Sequence, residues 1–391
     1  MHKKSILIAV IISLLVTLEV PCVPRTAGPD IRIQELLEPI RQKHQVPALA
    51  GAILTSKGLV AMSAVGVRKA GTQVQATVED KWHLGSNTKA MTATLIASLI
   101  EQGKLKWDTS IEQVFPDIAP ELPSEFRGLT LLHLLSHWAG LFANILWFAV
   151  SKPDMSAMQQ RLETVKMLAK LKPLSAPGTT YLYSNLGYVI AGAMAERTMS
   201  SSWEELITKF VFGPLGMKSV GFGGTGTPGE IDQPWGHGAD GKPVPQNGPA
   251  VDNPPVLGPA GTVHCTLADW AKFVGDHLRG ARGEKALLEP SAYQVLDTPP
   301  FGGEYALGWL VVQREWGGGT VLTHAGSNTM NYAVVWVAPE RDFAVLIVTN
   351  QGGPAAAKAC DEAAGALIKL QTAGQPKSLS RDPSDSGQIE L

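Results

Sequence analysis

Three short polar motifs in this chain contain the residue types of a nucleophilic active site. In the stretch HLGSNTKAM, Ser86 and Lys89 stand three positions apart, where an apolar helical pattern begins. Residues with this spacing share a helical face, so Lys89 is within reach of the Ser86 hydroxyl and could take its proton. A simpler interpretation makes Ser86 a helix cap and leaves Lys89 in solvent. Because Ser-x-x-Lys arises readily by chance, this motif alone does not decide between the two.

The other two motifs follow later in the chain. Tyr183 and Asn185 form Tyr-x-Asn within YLYSNLGY, and His324 and Gly326 form His-x-Gly within LTHAGSN. Each is weak by itself, since His83 also begins a His-x-Gly triplet. Their order and settings are more specific, because the motifs fall at a helix start, in a loop and on a strand. Together they favour the catalytic interpretation of Ser86.

Several other chemistries have no support in the sequence. The chain contains no G-x-S-x-G, no H-E-x-x-H, no phosphate-binding G-x-x-x-x-G-K-[ST] and no C-x-x-C. His133 and His137 are four residues apart and could share one helical face, but no carboxylate accompanies them in the motif. We expect one of these histidines to be packed and the other to bond a loop. The sequence predicts neither a metal site nor another cofactor.

Length, composition and the amino terminus restrict the class of protein. The chain has 391 residues, 45% of them hydrophobic and 17% charged, which suits a globular protein of one large domain or two. Its formal net charge of −2 does not indicate the basic surface that nucleic-acid binding requires. Lys3 and Lys4 precede an apolar run over 6–18 that is shorter than the roughly 20 residues of a membrane span. We expect a signal peptide at 1–28, export to the periplasm or outside the cell, and no membrane contact apart from that segment.

The cysteines and the carboxyl terminus add three expectations. Cleavage after Cys22 or Gly28 fits the signal segment; a lipid anchor on Cys22 is disfavoured by the Glu-Val-Pro sequence before it. Cys265 and Cys360 then remain, and we expect two buried free thiols, because a domain of this size needs no disulfide staple. Residues 372–391 have few apolar side chains and are expected to form a disordered tail.

Hydrophobic periodicity predicts an α+β fold. An amphipathic helix over Ile31–His44 precedes two strands that turn at Lys57-Gly58, and strand patterns return after residue 301. A helix of small residues from Pro354 to Leu370 follows them. We therefore expect an antiparallel sheet built from both chain ends, flanked by the terminal helices, within a domain formed by 29–82 and 301–371. Residues 83–300 are expected to be a mainly helical inserted region.

The same motifs carry a resemblance to a known family. The segments LLHLLSHWAGL, PGTTYLYSNLGYVIAG, AGTVHCTLADWAKF and VLIVTN resemble those of the class C serine β-lactamases and of the DD-peptidases and esterases that share their fold. Trp138 and Ala139 depart from the small polar pair usual in the first segment. The resemblance covers residues 31–370 and implies a β-lactamase/transpeptidase-like fold.

The resemblance also implies a role for each motif. Ser86 would be the nucleophile, with Lys89 and Tyr183 sharing its proton; a Lys89 ammonium could stabilise a Tyr183 phenolate, and the sequence leaves open which of the two is the base. Asn185 would bind the substrate. The backbone N–H groups of Ser86 and Ser327 would form the oxyanion hole.

His324 and Gly326 would also face the substrate. Gly326 would leave room for it to approach the strand. His324 stands where β-lactamases of this family usually carry lysine, and an ordinary histidine pKa near 6.5 would weaken the binding of anionic substrates as the pH rises. Apolar residues at 140–150, among them Trp147 and Phe148, and the Pro-rich loop at 243–259 are expected to form the pocket rim.

The sequence leaves the function partly open. The predicted activity is hydrolysis of a β-lactam, a D-amino-acid peptide or an ester, on a small-molecule or short-peptide substrate. Two alternatives are a carboxylesterase without β-lactamase activity and a non-catalytic penicillin-binding, peptide-binding or assembly module. The sequence does not indicate the oligomeric state.

Overall fold

The structure is a computed structural model that describes residues 28–248 and 251–373. The expected signal segment, apart from Gly28, lies outside these residues, as do Cys22 and all but the first two residues of the expected tail. Thr372 still belongs to the last helix. The predictions for these two segments are therefore not tested by the structure.

A six-stranded antiparallel sheet is the centre of the fold. Its strands are β1 and β2 from the amino-terminal part and β6 to β9 from the carboxyl-terminal part, in the order β2-β1-β9-β8-β7-β6. They run Ala48–Thr55, Gly58–Gly66, Leu310–Arg314, Gly319–Ser327, Tyr332–Ala338 and Phe343–Thr349. Because β1 pairs with β9, the two chain ends meet in one sheet, as the sequence predicted.

The strands near the middle of this sheet are covered on both faces. In β1, Leu49 and Ile53 pack with α1 (Ile31–His44) and α12 (Gly353–Thr372), whereas Ala50 and Ala52 belong to the core on the opposite face. Side chains alternate between the faces of a strand, so a strand covered twice is apolar at nearly every position. The predicted terminal helices therefore lie on one face of the sheet.

The helical region covers the other face of the sheet. Its helices, α2 to α11, run Thr88–Glu101, Ile111–Val114, Ser124–Arg127, Leu131–Leu135, Ala157–Met167, Asn185–Met199, Trp203–Ile207, Gly258–Gly261, Leu267–Ala281 and Pro290–Leu296. Helix α2 is buried all round, from Thr88 to Leu99. A helix with this burial lies inside the molecule and gives its first residues a fixed position.

A second, smaller sheet was not predicted. It consists of β3 (Lys81–His83), β4 (Gly221–Phe222) and β5 (Val263–Thr266) in the order β3-β5-β4. Strands of two to four residues are too short to show a period of two, which explains why the sequence pattern missed them. This sheet matters for the site because β3 leads directly into the turn that carries Ser86.

The two remaining cysteines are buried free thiols, as predicted. Cys265 lies in β5 and Cys360 in α12, and burial raises the pKa of both thiols. Thiols in this state are poor nucleophiles. Among the described residues, no helix has both the length and the apolar character needed to cross a membrane.

Candidate active site

Ser86 lies in a tight turn between β3 and α2. The turn is a 3₁₀ segment, Gly85–Asn87, and Gly85 has a φ of +51°, a conformation that favours glycine. Between Trp82 and Leu99, Ser86 is the only residue that is not buried. The turn therefore presents one hydroxyl to solvent at the amino terminus of a buried helix.

The structure brings the three predicted catalytic side chains together. Lys89 Nζ lies 2.9 Å from Ser86 Oγ, and the Tyr183 hydroxyl donates a hydrogen bond of 2.8 Å to the same oxygen. Tyr183 is 97 positions from Ser86 in sequence and precedes α7. The helix-cap interpretation left Lys89 in solvent, but its side chain is fully buried, so that interpretation is wrong.

The surroundings of Lys89 favour the neutral amine. Nζ lies 2.7 Å from the side-chain oxygen of Asn185 and 2.7 Å from the carbonyl oxygen of Ala260, in addition to Ser86. Burial among these uncharged partners lowers the Lys89 pKa well below its usual value. A neutral amine has two N–H donors and one lone pair. Two carbonyl acceptors use the donors and leave the lone pair for the Ser86 hydroxyl.

The pKa of Tyr183 shifts in the opposite direction to that of Lys89. Burial raises its pKa to about 12, and the hydrogen bond to Ser86 offsets only part of this effect. The expectation that a Lys89 ammonium stabilises a Tyr183 phenolate is therefore wrong. At neutral pH the phenol keeps its proton, and burial shifts the Lys89 pKa in the direction that favours the neutral amine. The two shifts therefore favour Lys89 as the base and Tyr183 as a donor.

Strand β7 packs against the Ser86 turn with no side chain between them. A Cβ added at Gly326 would lie 2.1 Å from the Leu84 carbonyl oxygen and 2.6 Å from Ser86 N; one added at Gly85 would lie 2.4 Å from Ser327 N. Gly326 is thus needed for contact between strand and turn, and the expectation that it clears a path for substrate is corrected. The contact places the two predicted oxyanion-hole segments side by side.

His324 does not behave as predicted. It is only 4% exposed, and its Nε2 lies 3.1 Å from the hydroxyl of Tyr305. Burial, together with the nearby Lys89, lowers the His324 pKa to about 3. The expectation of a histidine that titrates near pH 6.5 is wrong, because its alternating position on β7 directs the side chain into a packed aromatic cluster.

Asn185 has both ends of its side chain engaged. Its oxygen accepts from Lys89, and its nitrogen donates to the side-chain oxygen of Asn144 over 3.0 Å. The indole N–H of Trp147 donates to that same oxygen over 3.2 Å. Asn144, which the sequence analysis did not single out, therefore connects Asn185 to the predicted rim.

A cavity of about 430 Å³ opens beside Ser86. It is lined by Ser86, Asn144, Trp147, Asn185, Asn253, Pro254, Leu257, Ala260, Gly261, Ser327, Asn328 and Thr329. Trp147 and part of the 243–259 loop are thus at the cavity, as expected, whereas Phe148 is exposed and does not line it. Both the nucleophile and a predicted oxyanion-hole residue face this space, which suits a substrate of moderate size.

A buried carboxylate joins the two oxyanion-hole segments. Asp252 contacts His83 Nε2 at 2.9 Å and accepts from the Asn328 amide over 2.8 Å, while His83 Nδ1 accepts from the Gly85 N–H over 3.1 Å. Gly85 precedes Ser86, and Asn328 follows Ser327. Sequence analysis missed this bridge because Asp252 lies in a loop without periodicity and because the His83 triplet also arises by chance.

Of the two histidines in the helical region, His137 packs against Tyr183. Helix α5 ends at Leu135, so His137 lies beyond it and the shared helical face does not exist. His137 Nδ1 accepts from the Ser184 N–H, and its ring lies 4.4 Å from that of Tyr183. His133 caps the amino terminus of α5, because its Nδ1 hydrogen-bonds the Thr130 hydroxyl. Within the described ranges, no group of three or more potential metal ligands occurs.

Comparisons with known proteins agree with this arrangement. The family described as Beta-lactamase matches residues 33–368. Penicillin-binding protein 4 of Amycolatopsis lactamdurans is 27% identical over 334 residues, which are 82% of this chain and 84% of that protein. Protein flp of Staphylococcus aureus is 22% identical and aligns over 82% of this chain, which spans only 62% of flp.

A solved structure supports the same fold. The D-alanine carboxypeptidase AmpC from Burkholderia cenocepacia superposes with a TM-score of 0.67, covering 85% of this chain and 97% of the other. The two share 20% sequence identity, so the likeness concerns the fold alone.

The first prediction concerns His324. Because its pKa of about 3 leaves the imidazole neutral from pH 5.5 to pH 8, the KM for a penicillin should show no change over this range that depends on His324. His324→Lys should lower the melting temperature, since it buries an ammonium near Lys89. Steady-state kinetics and thermal melts measure both effects. A KM that rises with pH in the unmodified protein but not in His324→Gln would contradict the neutral assignment.

The second prediction concerns the Asp252 bridge. Asp252→Ala removes the acceptor of two buried groups, His83 and Asn328, and should lower the free energy of unfolding by about 3 kcal/mol. Asp240 is a matched control, because its carboxylate is exposed and pairs with Lys242 at the surface; Asp240→Ala should leave the free energy of unfolding nearly unchanged. Urea denaturation measures both. Equal effects of the two substitutions would show that the bridge does not stabilise the fold.

Proposed function

The chain belongs to the beta-lactamase family, and from this membership we propose that it is a serine hydrolase that forms an acyl-enzyme on Ser86. The observation that supports the proposal most directly is the pair of hydrogen bonds on Ser86 Oγ, one with Lys89 and one with Tyr183. A base and a hydroxyl donor at one serine, beside an open cavity, is the arrangement that nucleophilic catalysis requires.

Acylation would begin with Lys89 as the neutral amine. Its lone pair takes the Ser86 proton while Oγ attacks the carbonyl carbon, and the carbonyl oxygen becomes an oxyanion. The N–H groups of Ser86 and Ser327 would stabilise that oxyanion, a contribution of about 3–4 kcal/mol per donor in known enzymes. The Tyr183 hydroxyl gives its proton to the leaving group. Once that group has left, a water molecule in the vacated space carries the proton held by Lys89 to the Tyr183 phenolate, which restores both the phenol and the neutral amine.

Deacylation would use the same groups in reverse roles. Water enters the space left by the first product, loses a proton to the Lys89–Tyr183 pair and attacks the acyl carbon. Collapse of the second tetrahedral intermediate breaks the bond to Oγ and returns a proton to Ser86. The products are the carboxylic acid and a regenerated serine, and no group outside the described site is required.

The proposed substrates are β-lactams, D-amino-acid peptides and esters. The names of the relatives, a penicillin-binding protein and a D-alanine carboxypeptidase, support the first two classes. A carboxylesterase without β-lactamase activity is the second candidate, and the neutral, buried His324 favours it because no cation occupies that position. A non-catalytic module is disfavoured, since Ser86, Lys89 and Tyr183 are intact and in contact.

The third prediction tests the nucleophile. Ser86→Ala should abolish covalent labelling by a fluorophosphonate or a fluorescent penicillin, because no other hydroxyl of this site contacts both Lys89 and Tyr183. The melting temperature should stay nearly unchanged, since Ser86 is partly exposed. Gel fluorescence and intact-mass spectrometry measure the label. Ser98→Ala, on the same helix but away from the cavity, is the control. Stoichiometric labelling that persists in Ser86→Ala would reject the proposal.

The fourth prediction tests the proton pathway. Lys89→Ala and Tyr183→Phe should each slow acylation by at least about 100-fold, the usual scale for loss of a general acid or base. Both side chains contact the same serine oxygen and act as one unit in acylation, so the double variant should be scarcely slower than either single variant. Stopped-flow acylation with a chromogenic ester provides the rates. Losses that multiply in the double variant would mean that the two side chains act independently.

A further inference from the structure

The walls of the cavity are uncharged. Its side chains are amides, hydroxyls and apolar groups, including Asn144, Asn253, Thr329, Trp147 and Leu257. Amides and hydroxyls can hydrogen-bond an uncharged polar substrate. A carboxylate placed among them loses hydration without gaining an opposite charge, which is costly in a partly enclosed site.

The segment that contributes Trp147 to the cavity also carries exposed apolar side chains. Phe148 is 75% exposed and Leu146 is 67% exposed, which makes them the two most exposed large hydrophobic side chains of the described residues. They stand on either side of Trp147, which lines the cavity. Single exposed apolar residues are common and need no explanation, but two that adjoin a cavity-lining residue in the chain place apolar surface close to the catalytic site.

Local contacts hold this segment in place. Trp147–Ala149 forms a 3₁₀ turn in which the Ala149 N–H donates to the Leu146 carbonyl over 2.8 Å. Trp147 is fixed through Asn144, and Val150 is buried immediately after the turn. The two side chains are therefore presented outward by an ordered turn, which suits the binding of a flexible chain.

We propose that Leu146 and Phe148 form an acyl shelf, and that the preferred substrate is an uncharged carboxylic ester whose apolar acyl chain extends from Ser86 past Trp147 onto this shelf. This inference rests on the proposed acyl-enzyme mechanism and narrows its substrate class. The carbonyl lies at Ser86, the first methylenes contact Trp147 and Leu257, and the end of the chain covers Leu146 and Phe148.

The fifth prediction follows from the shelf. Each methylene that moves from water onto apolar surface should raise kcat/KM by up to about fourfold until the shelf is filled. The p-nitrophenyl esters of acetate, butyrate and octanoate, used below their aggregation concentrations, measure this gradient. p-Nitrophenyl hydrogen glutarate carries a terminal carboxylate, and it should react at least tenfold more slowly than the butyrate ester.

Substitutions at Leu146 and Phe148 test whether these two side chains cause the preference for longer acyl chains. The double variant Leu146→Ser with Phe148→Ser should lower the octanoate-to-acetate ratio of kcat/KM by about tenfold or more, mainly through KM. The matched control is Ile31→Ser with Val60→Ser, which removes two exposed apolar side chains from α1 and β2 and should leave the ratio unchanged. Thermal melts establish that both variants fold.

The possible results separate the shelf from the mechanism. If Ser86 is labelled and acetate is hydrolysed, but the ratio is flat or insensitive to the Leu146 and Phe148 substitutions, the shelf is wrong and the serine hydrolase stands. If the unmodified protein is a dimer that the double variant dissociates with no change in the ratio, the apolar pair is a subunit contact and the shelf is again wrong. If Ser86 is unlabelled and no ester reacts, both proposals fail.

Discussion

The site depends on the direct contact between strand β7 and the turn that carries Ser86. Gly326 faces the Leu84 carbonyl and Gly85 faces Ser327, at separations that no Cβ could occupy. The turn begins the buried helix α2, whereas β7 belongs to the large sheet, so this contact joins two regions far apart in sequence. It determines how close the Ser86 and Ser327 N–H groups lie, and an oxyanion hole works only when both donors converge on one oxygen. Asp252 supports the contact from behind by bridging His83 and Asn328.

Burial of α2 has a chemical consequence as well as a structural one. Lys89 is the second residue of a helix that is buried from Thr88 to Leu99, so its ammonium form would lose hydration without gaining a counter-ion. A lysine buried in this position lowers the free energy of unfolding, and the packing of the surrounding core must offset that loss. The same burial lowers the Lys89 pKa, which favours the free amine as a base, and raises the Tyr183 pKa, which keeps the phenol protonated. The two groups therefore differ in role because desolvation acts in opposite directions on a cationic acid and a neutral one.

Sequence patterns predicted the features that local residues determine. The hairpin at Lys57-Gly58, the apolar β9 and helix α2 all show their periodicity directly, and the three motifs identified the side chains that meet at Ser86. Burial and long-range contacts were harder to predict from the sequence. The small sheet is too short to produce a pattern, the direction of the His324 side chain depends on which face of β7 is packed, and Asp252 acts only through partners brought together by the fold. A spacing shows which residues can share a face, but not what will cover that face.

The lowered pKa values of His324 and Lys89 belong to one electrostatic arrangement. Lys89 contributes to the low pKa of His324, and both lie near the ring cluster of Tyr183, Tyr305 and His137. A permanent cation at 324 would raise the cost of protonating Lys89 further, but it would itself be buried with an uncharged tyrosine hydroxyl as its partner. In this chain the burial that lowers the Lys89 pKa therefore also opposes a fixed positive charge at position 324. The side chains that line the cavity are likewise uncharged, and Leu146 and Phe148 stand exposed next to Trp147 in the chain.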